Sequence, residues 1–358
     1  MTVPPIPRVA EELLGEHRAI HGRLAQTHNA LPATAVKLFA LQQRRIVIES
    51  IAYVRPAVVQ RDEQLLMVPP RAFLHGREER RMMGCTTLFR HLDSRVAMGQ
   101  LGIVSHDVDR ALLAILHALA ESSAPTGHAR ETNPGMFRTA LTRWEDQPVN
   151  FTHPEADQVA GLVDEALHVA NDRDTPACVR AAWLTFTLLS IHPFVDGNGR
   201  TSRSTYMAVT GPSLPLGIDW GVLEQWSIWR RGYIVSLQEG QAHGVFDPPK
   251  MNALPFIEYT TRTSIAGARV CIDRLEFFAR YLQHQIDAGL PEEHAMIRIF
   301  IEMWRIATLD ELTTCGVAED RIDEIVSELI GAGIIRWVPR PHSRRTFEHP
   351  DEFGLVLA

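Results

Sequence analysis

Hydrophobic positions recur with helical spacing along most of this chain, and strand-like alternation is confined to a few short segments. In the first pattern, Leu13, Leu14 and Leu24 fall on one helical face. The same periodicity, or an apolar run of helical length, predicts helices over residues 10–24, 35–53, 108–120, 157–168, 176–189, 201–209, 226–237, 256–288, 294–304, 309–312 and 318–330. Alternation predicts strands over residues 135–143, 149–151 and 334–338. The pattern therefore favours a mainly α-helical fold.

The C-terminal segment, residues 288–358, has the element order of a winged helix. Three helical patterns, the second capped by Thr308, precede a strand and a basic turn at Arg344 and Arg345. The third helix of such a module would read the major groove of DNA. Here that helix carries five acidic residues against Arg321 alone, and duplex DNA, with one negative charge per ~1.7 Å, would repel it. We expect a protein-docking or structural module, with nucleic acid an unlikely partner.

Composition and charge limit the kinds of partner and the cellular location that we expect for this protein. The chain has 358 residues, 45% of them hydrophobic, and a net charge of −7, which disfavours general binding to nucleic acid or to anionic membranes. Its four cysteines are scattered and form no CxxC pair, so we expect neither a zinc site nor a disulfide framework made from them. The N-terminal segment lacks a basic start and an apolar centre, and no apolar run reaches the ~20 residues of a membrane span. These features predict a soluble, cytoplasmic protein with no membrane partner.

A histidine pair stands out in the first helical pattern. His17 and His21 are four residues apart, so they lie on the same face of the helix and could share a metal ion. The sequence shows no third ligand, and we therefore interpret them as solvated or packing histidines.

The loop between the helices at 176–189 and 201–209 concentrates residues suited to phosphate. Gly197 and Gly199 let the backbone turn tightly and approach an anion. The N–H groups that open the next helix carry partial positive charge, and Arg200 and Arg203 both lie on its first turn. Asn198 can hold the loop or contact a phosphate. Together these residues predict an anion-binding cradle.

Two further residues of the loop suit the chemistry of group transfer. Asp196 supplies a hard oxygen ligand of the kind that Mg²⁺ takes when it bridges phosphates. His192 lies four residues earlier, outside the cradle, where a general base for an attacking hydroxyl is needed. The loop therefore has the parts of a phosphate-transfer site.

The run from His192 to Arg203 resembles, at every fixed position, the Fic motif H-x-F-x-[D/E]-G-N-G-R-x-x-R. Fic proteins transfer AMP from ATP to a Ser, Thr or Tyr hydroxyl of a target protein. The resemblance implies His192 as the catalytic base, Asp196 as the Mg²⁺ ligand and residues 197–203 as the anchor of the ATP phosphates. It spans roughly residues 106–275 and implies a Fic-type helical bundle with a β-hairpin flap.

The flap is implied by a second resemblance. The segment Pro134–Arg138 is similar to the P-G-x-F/Y-R signature that precedes the Fic flap, a β-hairpin thought to hold a target segment by strand pairing. The resemblance implies Val149, Asn150 and Phe151 as target-docking residues. Their backbone groups would matter more than their side chains.

Two more positions are implied at the nucleotide. Residues 226–237 resemble the R-x-x-Y-Y-x-x-L helix of the family, with Ile234 in place of the second tyrosine. In relatives, the first tyrosine and a polar residue eight further on border the nucleotide, which implies Tyr233 and Gln241 here. A second departure is Thr185, where many members have a histidine.

A further resemblance concerns inhibition of the protein by one of its own helices. Many Fic proteins inhibit themselves with a helix reading [S/T]-x-x-x-E-[G/N], whose glutamate pairs with the second arginine of the motif. The nearest match here centres on Glu49 and resembles S-x-x-I-E-G-I, with Arg45 for Ser and Ser50 for Gly. We expect Glu49 either to restrain the site by pairing with Arg203 or to be a surface residue of an amphipathic helix.

These inferences predict three domains: an N-terminal helical region (1–105), a Fic catalytic core (106–287) and a winged-helix-like domain (288–358). The expected function is Mg²⁺-dependent transfer of AMP from ATP to a hydroxyl of a target protein. One alternative is a related transferase of another phosphate-bearing group, against which Gly199 counts because Doc-type motifs usually carry Lys there. The other is a nucleotide-sensing, DNA-binding regulator, which the intact His192 and the acidic third helix disfavour. The target protein, the physiological nucleotide and a homo-oligomer stay open.

Overall fold

A computed structural model describes residues 2–52, 77–122, 133–140, 151–241, 244–304, 307–339 and 353–358. Within them the chain is mainly helical, as predicted. Its helices are α1 (Glu11–Ala30), α2 (Ala33–Ala52), α3 (Arg77–Gln100), α4 (Arg110–Glu121), α5 (Ala156–Ala170), α6 (Ala177–Ile191), α7 (Asn198–Thr210), α8 (Val222–Ile228), α9 (Arg230–Gly240), α10 (Leu254–Asp287), α11 (Glu292–Trp304), α12 (Leu309–Leu312) and α13 (Glu319–Gly331). Short 3₁₀ turns occupy Gly211–Ser213 and Pro248–Lys250.

Two predictions from helical periodicity differ from the structure. The single helix predicted over 226–237 is interrupted at Trp229, which separates α8 from α9. Helix α3 was not among the predicted helices, and it begins in a run of charged residues, 77–81. The charged residues at its start gave no apolar periodicity. Later positions of the helix, among them Leu88, Phe89 and Leu92, are buried.

The strands predicted on either side of residues 144–148 are not found where the structure describes the chain. Residues 133–140 form a turn and two bends, and Asn133 and Gly135 have positive φ angles of 43° and 81°, which interrupt extended backbone. Phe151 is not in a strand, and Thr152 forms a parallel bridge with Val245 instead. Residues 141–150, with Val149 and Asn150, lie outside the described residues, so the hairpin stays a prediction.

The chain divides into two compact units, each assembled from separate segments. Among the described residues, the first contains those within 2–25, 47–52 and 77–269. At its centre, α6 is apolar on all sides and packs along α7, with α3, α4 and α5 against this pair. Trp183, Phe186 and Phe194 lie fully buried there. This arrangement fixes both ends of the loop from His192 to Gly197.

Among the described residues, the second unit contains those within 26–46 and 270–358. Its strands β1 (Ile335–Pro339) and β2 (Phe353–Leu357) pair antiparallel, and Ala307 adds a bridge to Leu355. Helix α12 begins with a capping box in which Thr308 and Glu311 bond to each other's backbone N–H, as the Thr308 cap predicted. The winged-helix interpretation, and the predicted domain bounds, remain predictions.

Two sequence-based exclusions can be compared with the structure. All four cysteines are buried, and none of them forms a disulfide. Within the described ranges, none of the helices has both the length and the apolar character needed to cross a bilayer.

Candidate functional site

The site begins where α6 ends. His192 adopts a left-handed backbone conformation (φ 54°, ψ 61°), and its N–H donates to the Leu188 carbonyl at 2.9 Å. A non-glycine residue in this region costs about 1–2 kcal/mol, and Pro193 directly after it also disfavours this conformation. The backbone at His192 is therefore strained, and the surrounding structure must hold it.

Arg138 provides much of that support. Its backbone N–H donates to the Pro193 carbonyl at 2.8 Å, and its Nε donates to the His192 carbonyl at 2.9 Å. The same guanidinium donates to the carbonyls of Ile191 (3.4 Å) and Pro154. Arg138 is almost fully buried, and that burial lowers its pKa. It thus ties the segment before residues 141–150 to the turn that carries His192.

The His192 imidazole is in its neutral form at pH 7. Its pKa is lowered to about 3, mainly by burial and secondly by His153, whose ring stacks on it at 4.4 Å. A hydrogen bond between the ring and the Leu189 backbone opposes this shift in part. His153 is itself fixed by a hydrogen bond of 2.9 Å between its Nδ1 and the Ser190 carbonyl. A neutral imidazole held in one orientation is able to accept a proton.

The middle of the loop is closed by Asn198. Its Oδ1 accepts from the Phe194 N–H at 2.9 Å, and its Nδ2 donates to the Phe194 carbonyl at 2.8 Å. Of the two roles the sequence allowed for Asn198, the structure shows the one that holds the loop. Phe194 points into the core, fully buried, and stacks on His117 at 3.8 Å.

His117 positions the loop from α4, and sequence reasoning missed it. Its Nδ1 accepts from the Gly135 N–H at 2.8 Å, so the proton of the neutral ring is on Nε2, which donates to the Asp196 carbonyl at 3.0 Å. Burial lowers the pKa of His117 to about 4, which keeps the ring neutral. A histidine on an amphipathic helix gave no signal of this role.

Arg200 is held by a second group that the sequence did not reveal. Glu121, at the end of α4 and almost fully buried, forms an ion pair with the Arg200 guanidinium at 2.6 Å. Arg200 also donates to the Ala120 carbonyl at 3.0 Å and lies 3.5 Å from Asp196. Its charge is thus already partly neutralised by protein groups.

Gly197 begins α7 with a positive φ of 78° and leaves room for this ion pair. A Cβ atom there would come within 2.5 Å of Glu121 Oε1. Asp196, half-buried, accepts from the Gly197 N–H at 2.6 Å. Gly199 faces Arg203, whose guanidinium lies 3.0 Å from the position of a Cβ. At Gly197 the positive φ and the close approach to Glu121 together explain the glycine.

Arg203 lies on the first turns of α7 and is almost fully buried. Its guanidinium donates to the Ile51 carbonyl through Nε (3.2 Å) and a terminal nitrogen (2.6 Å). Ile51 is at the C-terminal end of α2, where the helix dipole places partial negative charge. The Tyr233 phenol lies beside Arg203: burial raises its pKa and the nearby guanidinium opposes that rise. Glu49, half-buried, lies two residues before Ile51 on α2.

The other predicted residues are placed around this centre. Gln241 ends α9, and its Nε2 donates to Ser190 Oγ at 2.7 Å, directly behind His192. Phe151 packs edge-on against His153 at 5.3 Å. The structure thus ties Gln241 and Phe151 to the neighbours of His192, and Tyr233 to Arg203.

The donor set around Asp196 suits Mg²⁺. The ion prefers oxygen ligands and is commonly bound by one or two carboxylates together with substrate phosphates. Asp196 offers a partly exposed carboxylate next to the start of α7, where phosphate would lie.

Comparison with known proteins agrees with this geometry. The model of the Fic/DOC family matches residues 107–208. A search of curated proteins found no significant match. A crystal structure of a Fic family protein from Desulfovibrio desulfuricans G20 is 17% identical, with a TM-score of 0.56, and the match covers 99% of this chain and 98% of that one.

A Fic domain containing signaling protein from Bacteroides thetaiotaomicron VPI-5482 is 14% identical, with a TM-score of 0.51, over 75% of this chain and 97% of its own. At such identities the likeness concerns the fold. The family match covers the His192–Arg203 loop and the helices that hold it. Residues 107–208 of this chain form a Fic domain.

Proposed function

We propose that this chain is a protein adenylyltransferase that, with Mg²⁺, transfers AMP from ATP to a Ser, Thr or Tyr hydroxyl of a target protein. One observation carries the proposal. A half-buried, neutral His192, fixed by a strained backbone, lies in the same short loop as a glycine-started helix that presents N–H groups and Arg203. A base and an anion site are thus held in one rigid turn.

In the proposed reaction His192 takes the proton of the target hydroxyl. The hydroxyl oxygen attacks the α-phosphorus of ATP, a P–O bond forms, and the bond between the α-phosphorus and the bridging oxygen breaks as diphosphate leaves. His192 suits the first step because its imidazole is uncharged before the substrate binds. Bound phosphates would add negative charge near the ring and so favour its protonated form during transfer.

The phosphates are received by the start of α7. We propose that the backbone N–H groups after Gly197 and the Arg203 guanidinium bind them, with Gly199 giving the close approach that a side chain would block. Arg200 would also neutralise phosphate charge there. Its ion pair with Glu121 fixes its position, however, so its main role is to support Asp196. Asp196 would hold Mg²⁺, which screens the phosphate charge when bound.

The nucleotide and the target are proposed to bind on opposite sides of His192. Tyr233, which lies beside Arg203, and Gln241, bonded to Ser190, would border the nucleotide. The segment with Val149, Asn150 and Phe151 would dock the target by strand pairing. A protein-docking winged helix at residues 288–358 and a cytoplasmic location belong to the same proposal.

Glu49 is proposed to restrain the site. The structure supports this because the end of α2 reaches Arg203, which donates two hydrogen bonds to the Ile51 carbonyl. A phosphate group that binds Arg203 must compete with these bonds. We propose that Glu49, one half-turn earlier, occupies space that the γ-phosphate needs.

Labelling of a bacterial lysate tests the proposal. The purified chain is supplied in parallel with ATP carrying radiolabel on the α-phosphate or on the γ-phosphate. Label from the α position alone on protein bands that need both the chain and Mg²⁺ is the expected result. Label from the γ position alone would overturn adenylyl transfer and favour a phosphotransferase. The His192→Ala chain serves as the matched control, since it keeps the phosphate cradle.

A further inference from the structure

Two histidines outside the Fic motif meet a buried carboxylate. His17 and His21 are one turn apart on α1, both are almost fully buried, and their rings lie 4.5 Å apart. Each places its Nε2 atom at the hydroxyl of Ser264 on α10, at 3.1 Å and 2.9 Å respectively. The sequence showed the pair without a third ligand. The fold supplies one in Asp219.

Asp219 is fully buried and lies in the loop between α7 and α8. Its Oδ2 accepts hydrogen bonds from the hydroxyls of Ser264 (2.6 Å) and Tyr206 (3.1 Å). Its Oδ1 has no hydrogen-bond partner within the described chain. Because neutral hydroxyls do not balance its charge, a buried carboxylate in this state calls for a cation.

The geometry suits a metal ion at this point. One nitrogen from each histidine and one oxygen of Asp219 all lie within 4.8 Å of one another. The Ser264 hydroxyl lies between them, where a cation would be. Zinc binds histidine nitrogen and carboxylate oxygen at about 2.0–2.2 Å, so each donor would have to move inward by about 0.5–1 Å while Ser264 turns away.

Space for a further ligand adjoins the histidines. A cavity of about 330 Å³ is lined by His17 and His21, and by Cys178 from the start of α6. This volume is large enough for several water molecules, whose share of the liquid is about 30 Å³ each. A metal ion held by three protein ligands could therefore take its fourth ligand from the cavity.

We propose that His17, His21 and Asp219 form a binding site for a divalent transition-metal ion, with Zn²⁺ as the preferred ion and a water molecule from the cavity as fourth ligand. Two imidazoles and one carboxylate are a donor set that zinc accepts and that suits Mg²⁺ poorly. The bound ion would balance the charge of Asp219 and tie α1 to the loop before α8. This site is separate from the proposed Mg²⁺ ligand Asp196.

The alternative is a hydrogen-bonded network without an ion. In that network the Ser264 oxygen accepts from both imidazoles and donates its proton to Asp219, so the hydroxyl is the centre of the cluster. The two arrangements make opposite demands on Ser264. The network needs its oxygen, whereas the metal site needs it out of the way.

Cobalt titration of the full chain separates them. The protein is stripped of metal, titrated with Co²⁺ and followed by visible absorption, and Zn²⁺ is then added as competitor. We expect about one Co²⁺ per chain, displaced by Zn²⁺, and retained in Ser264→Ala because this oxygen is not a ligand. His17→Ala should weaken binding by at least ~100-fold, the upper end of the effect of losing a group that supports a ligand. His28→Ala, on the same helix outside the cluster, is the matched control.

Circular dichroism confirms that each variant is folded, and His21→Gln replaces any variant that is not. The proposal is overturned if the folded wild-type chain takes up neither Co²⁺ nor Zn²⁺. It is equally overturned if His17→Ala and His21→Gln bind the ion as tightly as His28→Ala does, since the ion would then lie elsewhere.

Discussion

Replacing Glu121 by glutamine tests whether the buried ion pair holds the site together. Both side chains are nearly inaccessible, with 9% of Arg200 and 2% of Glu121 exposed, so solvent screens their interaction little. Removal of one partner from a buried pair leaves an uncompensated charge and costs about 3–5 kcal/mol. For a unit of roughly 200 residues, where 1 kcal/mol shifts Tm by about 2–4 °C, Glu121→Gln should lower Tm by roughly 6–20 °C.

Calorimetry measures this shift, and Asp164→Asn is the control. Asp164 pairs with Arg110 in the same unit, but the two side chains are 55% and 50% exposed, so their loss should cost at most about 1 kcal/mol. Without Glu121, Arg200 is expected to turn toward Asp196, now 3.5 Å away, and to compete with Mg²⁺. The Mg²⁺ concentration needed for transfer should rise with it. Equal Tm shifts in the two variants would refute the reasoning, because burial would then not matter.

Four further outcomes are expected. His192→Ala should abolish transfer while the affinity for ATP, measured by calorimetry, changes only a few-fold, because other residues form the cradle. Because the pKa of His192 is lowered to about 3, its base form persists as pH falls, so kcat/KM should stay flat from pH 8 to about pH 5 and show no decline near 6.5. Arg203→Ala should lower ATP affinity roughly ten- to a hundred-fold and should also lower Tm, since two hydrogen bonds to Ile51 are lost. Glu49→Gly should raise auto-modification several-fold in the labelling assay, whereas Glu12→Gly, at an exposed position of α1, should not.

The sequence predicted the parts of the site that are contiguous in the chain. Between His192 and Arg203 the residues that share a function also share a loop, so their order alone identified it. The helices were predictable for a related reason, since apolar periodicity is local and the chain is mostly helical. Tertiary structure was needed only to show that Asn198 closes the loop on Phe194.

The groups that hold this loop come from distant segments, and no spacing in the sequence connects them. Glu121 and His117 lie on α4, about eighty residues before the groups they contact. In the sequence, Arg138 was noted only as one position of the flap signature. In the structure its guanidinium donates a hydrogen bond to the His192 carbonyl. A signal was present in one case: a glutamate at the end of an apolar helix is costly to bury unless a cation meets it.

Residues 135–140, the described part of the strand predicted over 135–143, form no strand, and this has a physical cause. Alternating side chains indicate a strand only if a partner strand accepts the backbone hydrogen bonds. Here the backbone N–H of Gly135 donates to His117 and that of Arg138 to the Pro193 carbonyl. The backbone of this segment is therefore bonded to His117 and to the turn after His192, and its positive φ angles at Asn133 and Gly135 follow from that path.

The contact between Arg203 and α2 shows a further limit of reading motifs. The resemblance drew attention to Glu49 and counted Arg45 and Ser50 as departures that weaken the inhibitory pattern. The contact that the structure shows runs through the Ile51 carbonyl, which any residue at that position would supply. Because a backbone acceptor at the end of a helix needs no particular side chain, the departures leave this contact intact. Inhibition by α2 would then have two contributions, one from the Glu49 side chain and one from the hydrogen bonds between Arg203 and the Ile51 carbonyl. Glu49→Gly should remove only the first.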